Sequence, residues 1–305
     1  MRRARSLLIA GGLAIAAGSA AGARAAAPAS VLRVCADPNN MPFSNRAGQG
    51  FENRIAALFA RDLHARLEYT WWAQRRGFVR NTLAAKRCDV VLGITDGDDQ
   101  VLTTTPYYRS TYVFVTRRSR GYRLSSMNDP RLHHLRIGIH VIGDDYNSLP
   151  PGVALANRGI VRNVVGYSIY GNYAQESPPS TLIAAVARDD VDVAIAWGPL
   201  AGYYASRSPI PLEVTPIATP DARRGIPFSY AIAVGVRKGD TARRALLQRE
   251  LDRRRGSIAA ILRSYHVPLV AGNAREAAPE RAAMSSTRSD SRRVPPLTED
   301  PCGLP

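Results

Sequence analysis

Little in this chain of 305 residues announces chemistry. It has no Gly-x-Ser-x-Gly elbow, no phosphate-cradling glycine loop and no His-Glu-x-x-His zinc signature. The five histidines, His64, His133, His134, His140 and His266, lack the spacing of zinc ligands. Asp96, Asp98 and Asp99 give half of a calcium loop, but its glycine spacing and closing glutamate are missing, and a solvated acidic turn accounts for them. The neighbouring carboxylates Asp189 and Asp190 read as a helix-to-strand turn. No nucleophile has an identifiable base and orienting acid. A lyase or dehydratase would need a paired acid and base in a cleft, and the sequence reveals none. The expectation is a protein that is not an enzyme, with no catalytic residue, no cofactor and no resident metal.

Long apolar runs are equally scarce, and past residue 25 none is long enough to span a bilayer. Residues 1–25 combine Arg2, Arg3 and Arg5, an apolar stretch over 7–17, and the small-residue site Ala23-Arg24-Ala25. That is the make-up of a cleaved signal peptide rather than an anchor, so the mature protein is expected to be soluble and exported. Export permits disulfides. Of only three cysteines, Cys35 lies on the first strand and Cys88 opens a later one, which favours a Cys35–Cys88 bridge over two buried free thiols. In the chain-entropy picture, a closed loop of that length is worth about 4 kcal/mol. Cys302 is then unpaired, in a polar tail, and either free or intermolecular. The net charge of +16 admits nucleic acid, an anionic surface or an acidic protein as partner. Export argues against nucleic acid. The arginines are also spread along the chain rather than gathered in one basic, aromatic-interleaved stripe, as in plain solvated surfaces.

With chemistry thin, pattern carries the reading. The apolar residues Val31, Leu32 and Val34 make a strand over 31–36 that runs into Asp37-Pro-Asn-Asn-Met-Pro-Phe-Ser44, where two prolines end it. Phe51, Ile55, Leu58, Phe59 and Leu63 then fall on one helical face. A strand over 67–72, a helix over about 76–85 and a strand over 88–94 complete a βαβ run, the signature of a parallel sheet covered on both faces. After a break over 95–109 comes a long β-branched strand, 110–116. The pattern restarts with strands over 135–141, 161–165 and 191–197, a turn opening a helix near Gly143, and a helix over 180–187. Another long strand, 228–236, precedes a helical region over 241–264. The simplest topology has two lobes and two crossings: residues 31–116 and 230–270 form lobe 1, residues 117–229 lobe 2, and a ligand cleft opens between them. Residues 271–305 read as a disordered basic tail.

These residues carry a family resemblance. Thr105-Pro-Tyr-Tyr108 before the first crossing strand and Val191-Asp-Val-Ala-Ile195 in lobe 2 resemble type II periplasmic solute-binding proteins of amino-acid transporters. Over residues 31–270, the runs 34–44, Gly50-Phe-Glu-Asn53, 69–82 and 102–114 look more closely like the solute-binding-like accessory proteins of methanol-oxidation systems, the MoxJ/XoxJ type. The resemblance implies an α/β, two-lobed type II periplasmic-binding-protein fold and a periplasmic location. It also implies a link to a PQQ-dependent methanol or alcohol dehydrogenase and its cytochrome c, with a role in activation or assembly. The alternative is a substrate-binding protein of an ABC importer for a small solute that is not a standard amino acid.

The departures from that family matter. Amino-acid-binding relatives place an arginine after the third strand for the ligand α-carboxylate and an acid on the lobe 2 strand for its ammonium. This chain has Asp96-Gly-Asp-Asp-Gln100 at the first place and Trp197-Gly198 at the second. Without the guanidinium, charge-assisted bidentate bonding is lost. Ligands of open α/β sheets sit beyond the carboxyl ends of strands, which makes Asp37, Asn39 and Asn40 candidates for polar contacts. Trp71, Trp72 and Arg75, after the second strand, suit the cleft edge or a partner-docking rim. Tyr107 and Arg109, before the first crossing strand, and Trp197 complete the candidate set.

Overall fold

The computed structural model describes residues 30–142, 149–169, 177–217 and 227–271. The expected signal peptide, the turn near Gly143, the tail beyond residue 271 and Cys302 lie outside the described residues. The first half of the chain contains β1 (Val31–Ala36), β2 (Asn39–Asn40), β3 (Ser44–Asn45), α1 (Phe51–Asp62), β4 (Arg66–Trp71), α2 (Phe78–Asn81), β5 (Val90–Thr95), β6 (Leu102–Thr103) and β7 (Tyr108–Arg117). The second contains β8 (Ile137–Val141), α3 (Pro150–Ala156), β9 (Val164–Ser168), α4 (Thr181–Arg188), β10 (Val193–Trp197), α5 (Gly198–Ala205) and β11 (Leu212–Pro216). β12 (Ser229–Val236), α6 (Thr241–Arg253) and α7 (Arg255–Ser264) close it.

The strands form one sheet in the order β4-β1-β5-β12-β7-β10-β8-β9, with β6 on β12 and β11 on β7. β1 runs parallel to β4 and β5, and β8 parallel to β9 and β10. Two antiparallel strands join these parallel blocks. Tyr108 to Thr111 of β7 pair with β12, while Tyr112 to Thr116 pair with β10. β12 likewise begins beside β7 and finishes beside β5. Each crosses from one half of the sheet to the other, so the fold is the two-lobed α/β architecture with two crossings.

Sequence pattern explains the packing. α1 buries Phe51, Ile55, Leu58 and Phe59 against Leu32, Val34, Val90 and Val234, and α6 and α7 add Leu247, Leu251, Ile258 and Leu262. Fully burying each such side chain contributes about 2 kcal/mol. In the other half, alternation along β7 and β10 sends Phe114, Val193 and Ile195 to one face and Val113, Val115, Ala194 and Ala196 to the other. Both faces are covered, as parallel blocks require.

Several elements differ from the sequence expectation. The helix expected over about 76–85 is a single turn, Phe78–Asn81, entered through Gly77 at φ 84°. The region 241–264 divides into α6 and α7 at Arg254, whose side chain clamps Asp62 at 2.5 and 2.7 Å. α5 and β11, at eight and five residues, are too short for a periodic pattern to show in the sequence.

Cys35 and Cys88 form the expected disulfide, with Cα atoms 5.5 Å apart. Next to it, Asp89 takes two hydrogen bonds from Arg33 at 2.8 and 3.0 Å and one from Arg237 at 2.8 Å. Burial alone would raise the Asp89 carboxyl. The bonds from Arg33 and Arg237, with the charge of Arg243, hold it below the usual range.

Candidate functional site

The loop leaving β1 organises the site. Asp37 Oδ1 accepts the Asn39 N–H at 2.8 Å, a tight Asx turn, and Oδ2 accepts the Gln74 N–H at 2.6 Å. Ser44 Oγ donates to the Asp37 carbonyl at 2.8 Å. The loop also caps the next helix. The first N–H groups of a helix have no partner inside it, and here Phe51 N–H bonds the Pro42 carbonyl and Glu52 N–H the Phe43 carbonyl, at 2.8 and 3.0 Å. This approach demands glycine at position 50, where a Cβ would lie 2.0 Å from the Phe43 carbonyl oxygen.

The same loop touches the other half of the molecule. Asn39 Oδ1 accepts the Ser177 N–H at 2.9 Å, and the Tyr204 hydroxyl donates to the Met41 carbonyl at 3.2 Å. Between the halves lies a cavity of about 660 Å³, within the usual range for small-ligand sites. Asp37, Asn39, Asn40 and Trp197, all candidates from the sequence, line it. Trp71, Trp72, Arg75, Tyr107 and Arg109 are not part of the lining. Trp71 stacks on Tyr69 at 4.6 Å, with the Arg46 guanidinium 5.8 Å from its ring. Trp72 is 38 % exposed, with Arg87 5.5 Å from its ring. Arg75 is exposed, Arg109 bonds Ser229, and the Tyr107 hydroxyl is buried beside Gly93.

Sequence reasoning missed the residues at the centre of the cavity. Glu52, in the first turn of α1, points into it, and its carboxylate lies against Gly93, where a Cβ would come within 2.2 Å of Oε1. Gly93 also has φ +73°, a second reason for glycine. Burial, and next the charge of Asp37, push Glu52 up to about 8, so at neutral pH it is largely protonated. From the opposite half, His140 on β8 lines the cavity with Nε2 3.0 Å from the Pro179 carbonyl. That contact requires the Nε2–H tautomer, and burial pushes the imidazole down to about 4. A proton donor and a neutral imidazole thus share the cavity, a pairing the sequence did not disclose, and no hydrogen bond joins them.

Aromatic rings build the remaining walls. Trp197 meets Tyr112 and Tyr230 edge-on at 5.5 and 5.8 Å. Tyr108 is 7 % exposed, and burial followed by the proximity of Glu52 raises its phenol well above the ordinary value. Three carboxylates, Asp37, Glu52 and Asp98, face the cavity, and no arginine or lysine does among the described residues. Among those residues, no group of three His, Cys, Asp or Glu could hold a metal ion. No described helix is long and apolar enough to cross a membrane.

Comparison with known proteins agrees with this architecture. The chain is 34 % identical over 257 residues to "Protein MoxJ" of Methylorubrum extorquens, covering 81 % of this chain and 85 % of that one. The crystal structure of the periplasmic binding protein XoxJ from Methylobacterium extorquens AM1 superposes with a TM-score of 0.65 at 37 % identity, over 79 % of this chain and all of that one. MxaJ from Methlophaga aminisulfidivorans MPT gives a TM-score of 0.68 at 26 % identity, with the same coverage. An ancestral cationic amino acid solute-binding protein, at 18 % identity and a TM-score of 0.60, shares the fold. The model of the bacterial extracellular solute-binding proteins, family 3, matches residues 32–268, and the chain belongs to that family.

Proposed function

We propose that this is a non-enzymatic periplasmic accessory protein that associates with a PQQ-dependent methanol or alcohol dehydrogenase and helps activate or assemble it. The observation behind this reading is a cavity without a cation among its described lining residues, in a chain similar over most of its length to MoxJ, XoxJ and MxaJ. An amino-acid carboxylate brought there would meet Asp37, Glu52 and Asp98 with no guanidinium to bind it. Residues off the cavity lining offer what a protein partner uses: Trp72 exposed beneath Arg87, and Trp71 stacked on Tyr69 near Arg46. Trp and Arg are the residue types that dominate interface energetics.

The test is binding of the purified full chain to a purified PQQ dehydrogenase, with and without its cytochrome c, across a salt series. Association at low salt is expected, with Trp72→Ala weakening it by about tenfold or more. No association at low salt, together with normal enzyme activity in a strain lacking this protein, would overturn the reading. The cavity favours a second reading, a receptor that delivers a small solute other than a standard amino acid to an ABC importer. A rise in Tm on adding such a solute, with no dehydrogenase binding, would select it.

A further inference from the structure

The cavity carries more than an argument about what it rejects. Its described lining combines three carboxylates with the rings of Phe43, Tyr108, Tyr112, Trp197 and Tyr230, and none of its described members is a cation. This is the reverse of the molecule as a whole, whose formal charge is +16. We propose that the cavity binds a small organic ammonium ion lacking a carboxylate, with Glu52 as its counter-ion and Tyr108, Tyr112, Trp197 and Tyr230 as its walls.

Two independent features point to an occupant. The Tyr108 ring is more than nine-tenths buried, and it lines the cavity within electrostatic reach of Glu52. Glu52 has no ion pair or hydrogen bond among the described residues, although Gly93 is shaped to receive its carboxylate. A carboxyl that lines a cavity with no cation beside it among the described residues is a counter-ion without its ion, and a cationic ligand supplies one. The groups facing Glu52 are Asp37 from the β1 loop, Tyr69 from β4, and Tyr107 and Tyr108 at the start of β7. Asp98, the neutral His140 and the phenols of Tyr112 and Tyr230, both raised by burial, complete the cavity's described titratable groups. A cation therefore meets no like charge among the described lining residues.

Other ligand classes fit less well. An anion would face the carboxylates of Asp37 and Asp98 with no cation among the described lining residues to hold it. A bare metal ion finds no convergent ligand set among the described residues. An alkylated ammonium is large, weakly hydrated and attracted to ring faces, and aromatic walls beside a carboxylate are how such cations are held. Binding would also favour the ionised form of Glu52, so ligand uptake near neutral pH should release a proton from that carboxyl.

This inference rests on the cavity being a ligand site and not on the dehydrogenase, so the two stand or fall separately. The experiment is calorimetric titration of the full chain with choline and with its uncharged isostere 3,3-dimethylbutan-1-ol, followed by methylammonium and putrescine. Choline should bind at least tenfold more tightly than the alcohol, Glu52→Gln should lose that preference, and the binding heat should depend on the buffer's ionisation enthalpy in the wild type only. Equal binding of the alcohol would make this a neutral-solute site and overturn the proposal. So would the absence of binding by choline, methylammonium and putrescine at millimolar concentration. The wild-type comparison decides the matter by itself should the variant not fold.

Discussion

Replacing Glu52 by glutamine should make the ligand-free protein more stable, and increasingly so as the pH rises. Glu52 is shifted from an ordinary 4.5 to about 8 by burial and by Asp37. Between those values the unfolded chain has lost the proton that the folded chain keeps. Folding then takes up a proton, so stability falls as pH rises across this window; the penalty is absent below about pH 4.5 and complete above about pH 8. Each pH unit inside the window corresponds to about 1.4 kcal/mol. From about pH 5.5 to about pH 7.5 that amounts to roughly 2.7 kcal/mol, and partial exposure of Glu52 to the cavity trims it to about 2 kcal/mol. The amide of the variant does not titrate, and Asp37, Asp98, Tyr69, Tyr107, Tyr108 and His140 are common to both proteins. The wild-type-minus-variant difference, from urea unfolding at the two pH values, therefore isolates Glu52 from any packing offset. Glu52→Gln should gain about 2 kcal/mol on the wild type between them. A difference constant to within about 0.5 kcal/mol would refute the placement of this carboxyl in a desolvated cavity with no cation among its described lining residues.

Three further outcomes follow from the same structure. His140, held near 4 by burial, stays neutral in the folded state while its unfolded counterpart charges below its ordinary 6.5; His140→Gln should therefore lose less stability than the wild type on acidification, by about 2 kcal/mol between about pH 6.5 and pH 5, read by the same unfolding series. Removing the bridge as Cys35→Ser with Cys88→Ser opens a loop with a sequence separation of 53, and should cost about 4 kcal/mol in denaturant unfolding, with reduction of the wild type giving a similar loss. Asp89→Asn leaves the guanidiniums of Arg33 and Arg237 without their carboxylate; because both arginines keep some exposure, a loss of about 2 kcal/mol is expected. Since the Asp89 carboxyl lies below its ordinary range, that deficit should be full above about pH 4 and shrink as the pH falls through the folded-state value, which Tm measurements across the acid range would show.

The parts of the fold that the sequence disclosed are those governed by local rules. Periodicity located α1, apolar and β-branched runs located β7, β10 and β12, and proline ended β1 at the loop that starts the site. Asp37, Asn39, Asn40 and Trp197 were reachable because each lies at the carboxyl end of a strand, a place defined without knowing the sheet order. Glu52 was not. An acid in the first turn of a helix looks like ordinary compensation of the helix dipole, and its burial depends on Gly93, a glycine on a distant strand. His140 was hidden in the same way. Within the apolar run of β8 it passes for a core residue, and only the order β10-β8-β9 brings it to the cleft. Tyr112 and Tyr230 did leave a usable signal. Crossing strands must run past the cleft, so aromatic residues on both are candidates for its wall from the sequence alone.

The contrast between exterior and cavity follows from dielectric and distance. Surface arginines that dominate the formal charge interact through water and salt, which screen them over about 10 Å. A carboxylate inside the cavity acts over a few ångströms through protein, where the same charge counts several times more. Net charge therefore describes the field outside this molecule and says little about what the cleft accepts. The loop Asp37 to Ser44 belongs to both regimes. It places Asp37 at the cavity wall, caps the helix that carries Glu52, and is bonded to the second half through Asn39 and Met41. A change in that loop must alter the cavity and the relation of the two halves together.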